Sequence, residues 1–179
     1  MELESLGNSL MNLPLEDRLS LLTSTYSKDV IAFSSSFGQE DQAITHAIAT
    51  QKLPIKIFTL DTGRQFQESY ELMDLTKKKY QLDLITYFPN LDKTEKLVRE
   101  KGFNSFYSSV ENRKECCFIR KMEPLTRALE GVNIWITGLR AEQSENRAHM
   151  PIVEWDESRN LIKVNPLIDW SFEKLNAYL

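Results

Sequence analysis

The chain has 179 residues, 41% hydrophobic and 10% aromatic, enough for one core of ordinary size in a single domain. With 27% charged residues and only six each of Gly and Pro, it fits neither a disordered nor a collagen-like chain. A formal charge of −4 and a pI near 5.3 argue against duplex nucleic acid as the main partner, while a local basic site for a small anion stays open. No apolar run reaches the ~18 residues of a membrane span, and the acidic start Met1-Glu2-Leu3-Glu4 is unlike a secretory signal. A cytoplasmic protein is expected.

Leucines at 3, 6, 10, 13, 19 and 22 recur at helical spacing, interrupted at Pro14, and predict one or two leading helices. Val30-Ile31-Ala32-Phe33 reads as a buried strand, followed by a Ser/Gly loop from Ser34 to Gln39 and a helix from Glu40 to Gln51. A second strand spans 55–60, a turn sits at Asp61-Thr62-Gly63, and a helix covers 67–80. Leu84 to Phe88 makes a third strand, helices cover 93–101 and 121–130, and Ile134 to Thr137 makes a fourth strand ending at Gly138. Strands alternating with helices predict an α/β fold, a parallel sheet flanked by helices, with ligands at the carboxyl ends of its strands. Ser171 is placed to cap a last helix through Phe172, Leu175 and Tyr178. That helix stops at Leu179 without a termination signal, so 1–179 reads as a single domain cut short.

Three strand-end loops carry candidate binding residues. Ser34, Ser35 and Ser36, followed by Phe37-Gly38-Gln39-Glu40, can present hydroxyls and N–H groups to an anion at a helix start, or can simply be a polar loop with a cap. Leu60, Asp61 and Thr62 can offer backbone and polar contacts to a base or ribose, although Asp-Thr-Gly is also a good turn. After the fourth strand, Gly138, Arg140 and Arg147 suit bidentate recognition of phosphate or sulfate, against the alternative of solvated surface arginines. The three converge on one cleft if their strands are neighbours. The patterns Gly-Lys-Ser/Thr and Gly-x-Gly-x-x-Gly are absent, which disfavours common nucleotide triphosphatases and dinucleotide enzymes.

Cys116 and Cys117 are the two cysteines of the chain, and as neighbours they do not form a disulfide framework. They read either as small buried hydrophobes or as two thiolate ligands, half of a four-ligand metal site. Arg113, Lys114, Arg120 and Lys121 surround them with positive charge, which would offset an anionic centre or lower a thiol's pKa. On a helix starting at the cysteine pair, Lys121 would return to the face of Cys117. His46 and His149 have no metal-ligand spacing and are read as non-catalytic.

Taken in order, Ser34 to Asp41, Leu60 to Arg64, Cys116 to Leu125, Trp135 to Arg140 with Gln143, Ser144 and Arg147, and Val164 to Trp170 resemble the assimilatory adenylyl-sulfate reductases, within the phosphoadenylyl-sulfate reductase group. The resemblance implies an adenine nucleotide α-hydrolase-like, Rossmann-like fold. It implies reduction of adenosine 5′-phosphosulfate to sulfite and AMP in sulfate assimilation and cysteine biosynthesis, through an S-sulfocysteine that thioredoxin or a similar dithiol releases. It implies a 4Fe–4S cluster held by Cys116 and Cys117 with a later Cys-x-x-Cys, a linking role for Lys121 between cluster and substrate, nucleotide contacts from the Ser and Asp-Thr-Gly loops, and a phosphosulfate contact from Arg147. The chain has no Cys-x-x-Cys and no third cysteine, so the expectation is a longer enzyme of which this piece is inactive alone. The competing readings are a phosphoadenylyl-sulfate reductase, which handles a further 3′-phosphate, an ATP pyrophosphatase, whose glycine pair Ser36 and Phe37 replace, and a non-catalytic nucleotide-binding module. No membrane partner is expected, and self-association into a homo-oligomer is left open.

Overall fold

The computed structural model describes residues 3–179; Met1 and Glu2, part of the acidic start, lie outside them. The leucine-rich start forms α1 (Leu3–Met11) and α2 (Leu15–Thr25), separated where Pro14, which lacks an N–H, takes the N-cap position of α2. The six strands are β1 (Ile31–Ser34), β2 (Lys56–Leu60), β3 (Ile85–Tyr87), β4 (Ile134–Ile136), β5 (Val153–Asp156) and β6 (Leu161–Val164). They form one sheet in the order β3-β2-β1-β4-β6-β5. All neighbours run parallel except the edge pair β5–β6. The expected four strands are present; the β5–β6 hairpin was not foreseen, and it adds an antiparallel edge to the expected parallel sheet.

Between β1 and β2 lies α3 (Gln39–Gln51), and between β2 and β3 lies α4 (Gln67–Tyr80). The long connection from β3 to β4 holds α5 (Leu91–Lys101), α6 (Val110–Cys117), a π-helical turn at Phe118–Met122 and α7 (Glu123–Ala128). Sequence periodicity places a helix start near residue 121, but Ser109 caps a helix at Val110 by accepting from the Asn112 N–H at 3.1 Å. The cysteines therefore lie within a helical stretch that continues through the π-helical turn into α7, instead of beginning a helix. Ser171 caps α8 (Phe172–Tyr178) as expected, accepting from the Lys174 N–H.

Strand alternation divides the core in two. Ile31 and Phe33 of β1, Ile57 of β2, and Ile134 and Ile136 of β4 point to one face, under leucines of α1 and α2, Ile44 and Ile48 of α3, and Leu175 of α8. Ala32, Phe58 and Leu161 point to the other, under Leu125 and Ala128 of α7. Burial on both faces explains why β1 and β2 read as continuous apolar runs.

A buried ion pair joins the two ends of the chain. Arg18, 1% exposed, donates to both carboxylate oxygens of Asp169 at 2.6 and 2.7 Å and to the carbonyls of Met11, Leu13 and Pro166. Burial pushes the Asp169 carboxyl up, but the Arg18 hydrogen bonds and charge outweigh it and hold it below its ordinary value. Stability from this pair is present above the ordinary aspartate pKa and lost as pH falls through the depressed one. Asp169→Asn should cost about 3 kcal/mol at neutral pH by leaving Arg18 without its counter-charge. In denaturant titrations the gap from wild type should close in acid; equal stability at neutral pH would contradict the assignment.

Candidate functional site

Because β2 and β4 flank β1 and all three run parallel, the Ser loop, the Asp-Thr-Gly loop and the β4 loop leave the same edge of the sheet. Chain order reverses between β1 and β4, the position at which such sheets open a crevice. A cleft of about 500 Å³ lies there, within the range of small-molecule sites. Of the expected residues, Ser34, Ser35, Ser36, Leu60, Thr62, Lys121, Gly138 and Arg147 line it. A hollow of about 570 Å³ between the α1–α2 corner and α8 is larger, but of its two cations Arg18 is committed to Asp169 and Lys174 lies over the Trp170 ring, and none of the three loops reaches it.

The first loop is held from within. Ser34 Oγ accepts from the Trp135 indole N–H at 2.9 Å, and the Ser35 N–H donates to the Phe58 carbonyl at 2.8 Å. Ser36 donates both its N–H, at 2.6 Å, and its hydroxyl, at 2.7 Å, to Asp41 Oδ2. Phe37 takes a left-handed φ of 64° and donates its N–H to Ser35 Oγ at 3.2 Å. Three consecutive loop amides are thus satisfied internally. The donors left for an anion are the hydroxyls of Ser34 and Ser35 and the opening amides of α3, whose first intrahelical bond runs from Gln42 N–H to the Gly38 carbonyl.

Asp41 is buried, 6% exposed, and packs against Gly138, where an added Cβ would run into its Oδ1. Burial, the largest influence, raises its carboxyl above the ordinary value; the two Ser36 hydrogen bonds oppose this and the Glu40 charge adds to it.

Two expected binding residues are turned to structural work. The Arg140 guanidinium, 5% exposed, donates to Glu40 Oε1 at 2.9 Å and reaches Glu142 and the Trp170 carbonyl. It does not line the cleft, because Glu40 at the start of α3 takes its charge. Burial raises Glu40, yet its own backbone amide, Arg140 and Gln143 together hold its carboxyl below the usual range. Asp61 also stays out of the cleft: its Oδ1 accepts from the Gly63 N–H at 2.8 Å and its Oδ2 from the Tyr70 hydroxyl at 2.9 Å, closing the turn. Gly63 has a φ of 70°, as that turn requires.

The positive charge of the cleft comes from Lys121, Arg147 and Lys163. Arg147 donates to Gln143 Oε1, and Lys163 pairs with Glu154 at 2.7 Å across the β5–β6 ladder. Lys121 makes no ion pair among the described residues. Lys163 carries no signal in the sequence, and Trp135 enters its reading only as the first residue of the segment Trp135 to Arg140. They are register partners on β6 and β4, with the ammonium 5.9 Å from the indole ring, and only recognition of β6 would have found the pair.

Cys116 is buried and Cys117 exposed at the end of α6, and neither lines the cleft. The π-helical turn that follows, marked by the Glu123 N–H donating to the Phe118 carbonyl, carries Lys121 to the cleft wall. The same turn sends Arg120 to the Thr62 carbonyl at 2.7 Å, joining the cysteine segment to the second loop. His46 packs against Tyr80 and Tyr178, away from the cleft.

Residues 30–179 match the model of the phosphoadenosine phosphosulfate reductase domain. The chain is 45% identical over 175 residues to the adenosine 5′-phosphosulfate reductase of Agrobacterium fabrum, covering 98% of this chain and 66% of that protein. It is 44% identical over 178 residues to the enzyme of the same name from Sinorhizobium fredii, covering 99% of this chain and 70% of that protein. The crystal structure of a phosphoadenylyl-sulfate reductase from Candida auris, in complex with phosphate, superposes with a TM-score of 0.81 at 27% identity, covering 98% of this chain and 83% of that one. The chain thus spans about two thirds of the length of these curated relatives, and among the described residues no helix is long and apolar enough to cross a membrane. A mostly parallel sheet with a cleft at its topological reversal, together with the matches along nearly the whole chain, makes this protein a member of the phosphoadenosine phosphosulfate reductase domain family.

Proposed function

We propose that the chain is the nucleotide-binding part of a cytoplasmic adenosine 5′-phosphosulfate reductase, in which thioredoxin or a similar dithiol drives release of sulfite. The observation that carries this reading is the convergence of the three loops on one cleft whose wall holds Lys121, Arg147 and Lys163. The adenosine would lie along Leu60 and Thr62, and the phosphosulfate would meet the opening amides of α3 and the cleft cations. In the full reaction a cysteine thiolate attacks the sulfur, the bond from sulfur to the bridging oxygen breaks, and AMP leaves. One thiol of the dithiol then attacks the cysteine Sγ, the Sγ–sulfonate bond breaks and sulfite departs with the electron pair. The second thiol breaks the resulting mixed disulfide, leaving the dithiol oxidised and the enzyme cysteine free. That nucleophile is a cysteine other than Cys116 and Cys117, which stand outside the cleft.

The cysteine pair fits half of a 4Fe–4S site. Two cysteines are adjacent in the chain at the junction of α6 and the π-helical turn, and among the described residues no three His, Cys, Asp or Glu side chains gather as a metal site. Cys116 and Cys117 would supply two of the cluster's ligands, and the cluster, when bound, would supply a centre of negative charge. Lys121, on the turn between the cysteines and the cleft, is placed to offset both that charge and the substrate's. A phosphoadenylyl-sulfate reductase is the second reading, favoured by the similarity to the Candida auris structure; parallel binding titrations with both nucleotides separate the two.

Arg147→Ala should weaken adenosine 5′-phosphosulfate binding by roughly 1.5–3 kcal/mol, the worth of a charge-assisted hydrogen bond, measured by calorimetry on this chain. Unchanged affinity would remove Arg147 from the site. Incubated with the same nucleotide, the chain should keep its unmodified mass; a stoichiometric sulfo adduct on Cys116 or Cys117 would make that cysteine a nucleophile and overturn its assignment as a ligand.

A further inference from the structure

The cleft presents its anion-binding loop with a carboxylate already bound to it. Asp41 Oδ2 takes both donors of Ser36, and Oδ1 lies against Gly138, so one side chain fixes the Ser loop relative to the β4 loop. It does so while Phe37 is held at a left-handed φ, a conformation costly for a bulky side chain without such support. Asp41 also lines the cleft. A negatively charged ligand entering there must meet this carboxylate at close range, in surroundings drier than bulk water.

We propose that Asp41 is a proton-linked positioning residue: it holds the Ser34–Gly38 loop in its binding shape, and an anionic nucleotide entering the cleft takes up one proton from solvent onto it. The proton goes to Oδ1, leaving Oδ2 to accept from Ser36, so the loop keeps its shape while the repelling charge disappears. The charged groups around Asp41 fit this division. Glu40 on its own helix is committed to Arg140 from the β4 loop, and Lys121, Arg147 and Lys163 across the cleft attract the ligand. The Ser34–Gly38 loop itself carries no charged residue. With the Asp41 carboxyl already raised by burial, a further rise on anion binding brings its titration toward neutrality.

The inference rests on the nucleotide reading of the cleft, and its test separates the two. The whole chain is titrated calorimetrically with adenosine 5′-phosphosulfate, whose phosphosulfate carries no titrating proton near neutrality, in buffers of differing ionisation enthalpy; uncharged adenosine is the control. Wild type should take up a proton on binding the phosphosulfate and none on binding adenosine. Its affinity should fall as pH rises, approaching about tenfold per pH unit where uptake is complete. Asp41→Asn keeps an acceptor for Ser36 but no charge, so uptake should vanish and binding should become independent of pH. Asp41→Ala, which frees Ser36, should bind weakly at every pH. Binding without proton uptake in wild type, or uptake that persists in Asp41→Asn, overturns the role of Asp41 and leaves the nucleotide reading intact. Failure of both ligands to bind wild type overturns that reading, and the proton linkage with it.

Discussion

The central strand β1 is hydrogen-bonded on both sides by parallel strands, and the arrangement of the cleft follows from this constraint. Parallel neighbours send their loops out at one edge, so the chain ends of β1, β2 and β4 are brought together whatever lies between them in sequence. That proximity permits the Asp41–Gly138 approach and the Glu40–Arg140 ion pair, two ties between the start of α3 and the loop after β4. A further tie, from Arg120 to the Thr62 carbonyl, brings in the second loop. The cleft is therefore braced by contacts among its own lining residues Glu40, Asp41, Gly138 and Thr62 and the two arginines behind them, which keeps its donors oriented before a ligand arrives.

Charge is distributed by the same logic. The protein as a whole is acidic, yet the cleft wall presents Lys121, Arg147 and Lys163. The acidic groups nearest to it have defined partners: Glu40 is bound by Arg140, and Asp41 by Ser36. Arg140 shows why residue type alone misleads. An arginine in a strand-end loop suits a phosphate, but an arginine that is almost fully buried needs a counter-charge from the protein itself, and Glu40 supplies it. Asp61 is similar: its carboxylate closes the turn that shapes the nucleotide loop, leaving Leu60 and Thr62 to form the surface.

Elements with a continuous apolar signal were legible in the sequence. β1 and β2 carry runs of Ile and Phe buried on both faces, β4 carries Ile134 and Ile136 buried around a half-buried Trp135, and α4 is found at 67–80, where the pattern of the chain puts it. The β5–β6 hairpin was not legible: Val153–Asp156 and Leu161–Val164 mix Glu, Trp, Asp and Lys, since the edge strand has a solvent-facing side. Missing β6 meant missing Lys163. The start of the helix around the cysteines was not legible because α6 is polar from Glu111 to Glu115 and has no apolar periodicity, so that start is written only in the Ser109 cap. Within the site, the loop motifs marked the right edge of the sheet, but the roles of Arg140, Asp61 and Asp41 depend on burial and on partners distant in sequence. Arg140 meets the side chain of Glu40 and the carbonyl of Trp170, neither close to it along the chain.

The central claim is that the anionic nucleotide occupies the cleft at the ends of β1, β2 and β4. Amide resonances of the isotopically labelled chain, followed during addition of adenosine 5′-phosphosulfate, test it most directly. The account predicts saturable shifts concentrated at Ser34–Glu40, Leu60–Gly63, Gly138–Leu139 and Arg147, with the hollow between the α1–α2 corner and α8 unperturbed. Shifts centred instead on Met11–Glu16 and Lys174–Tyr178, with the three loops unchanged, would contradict it.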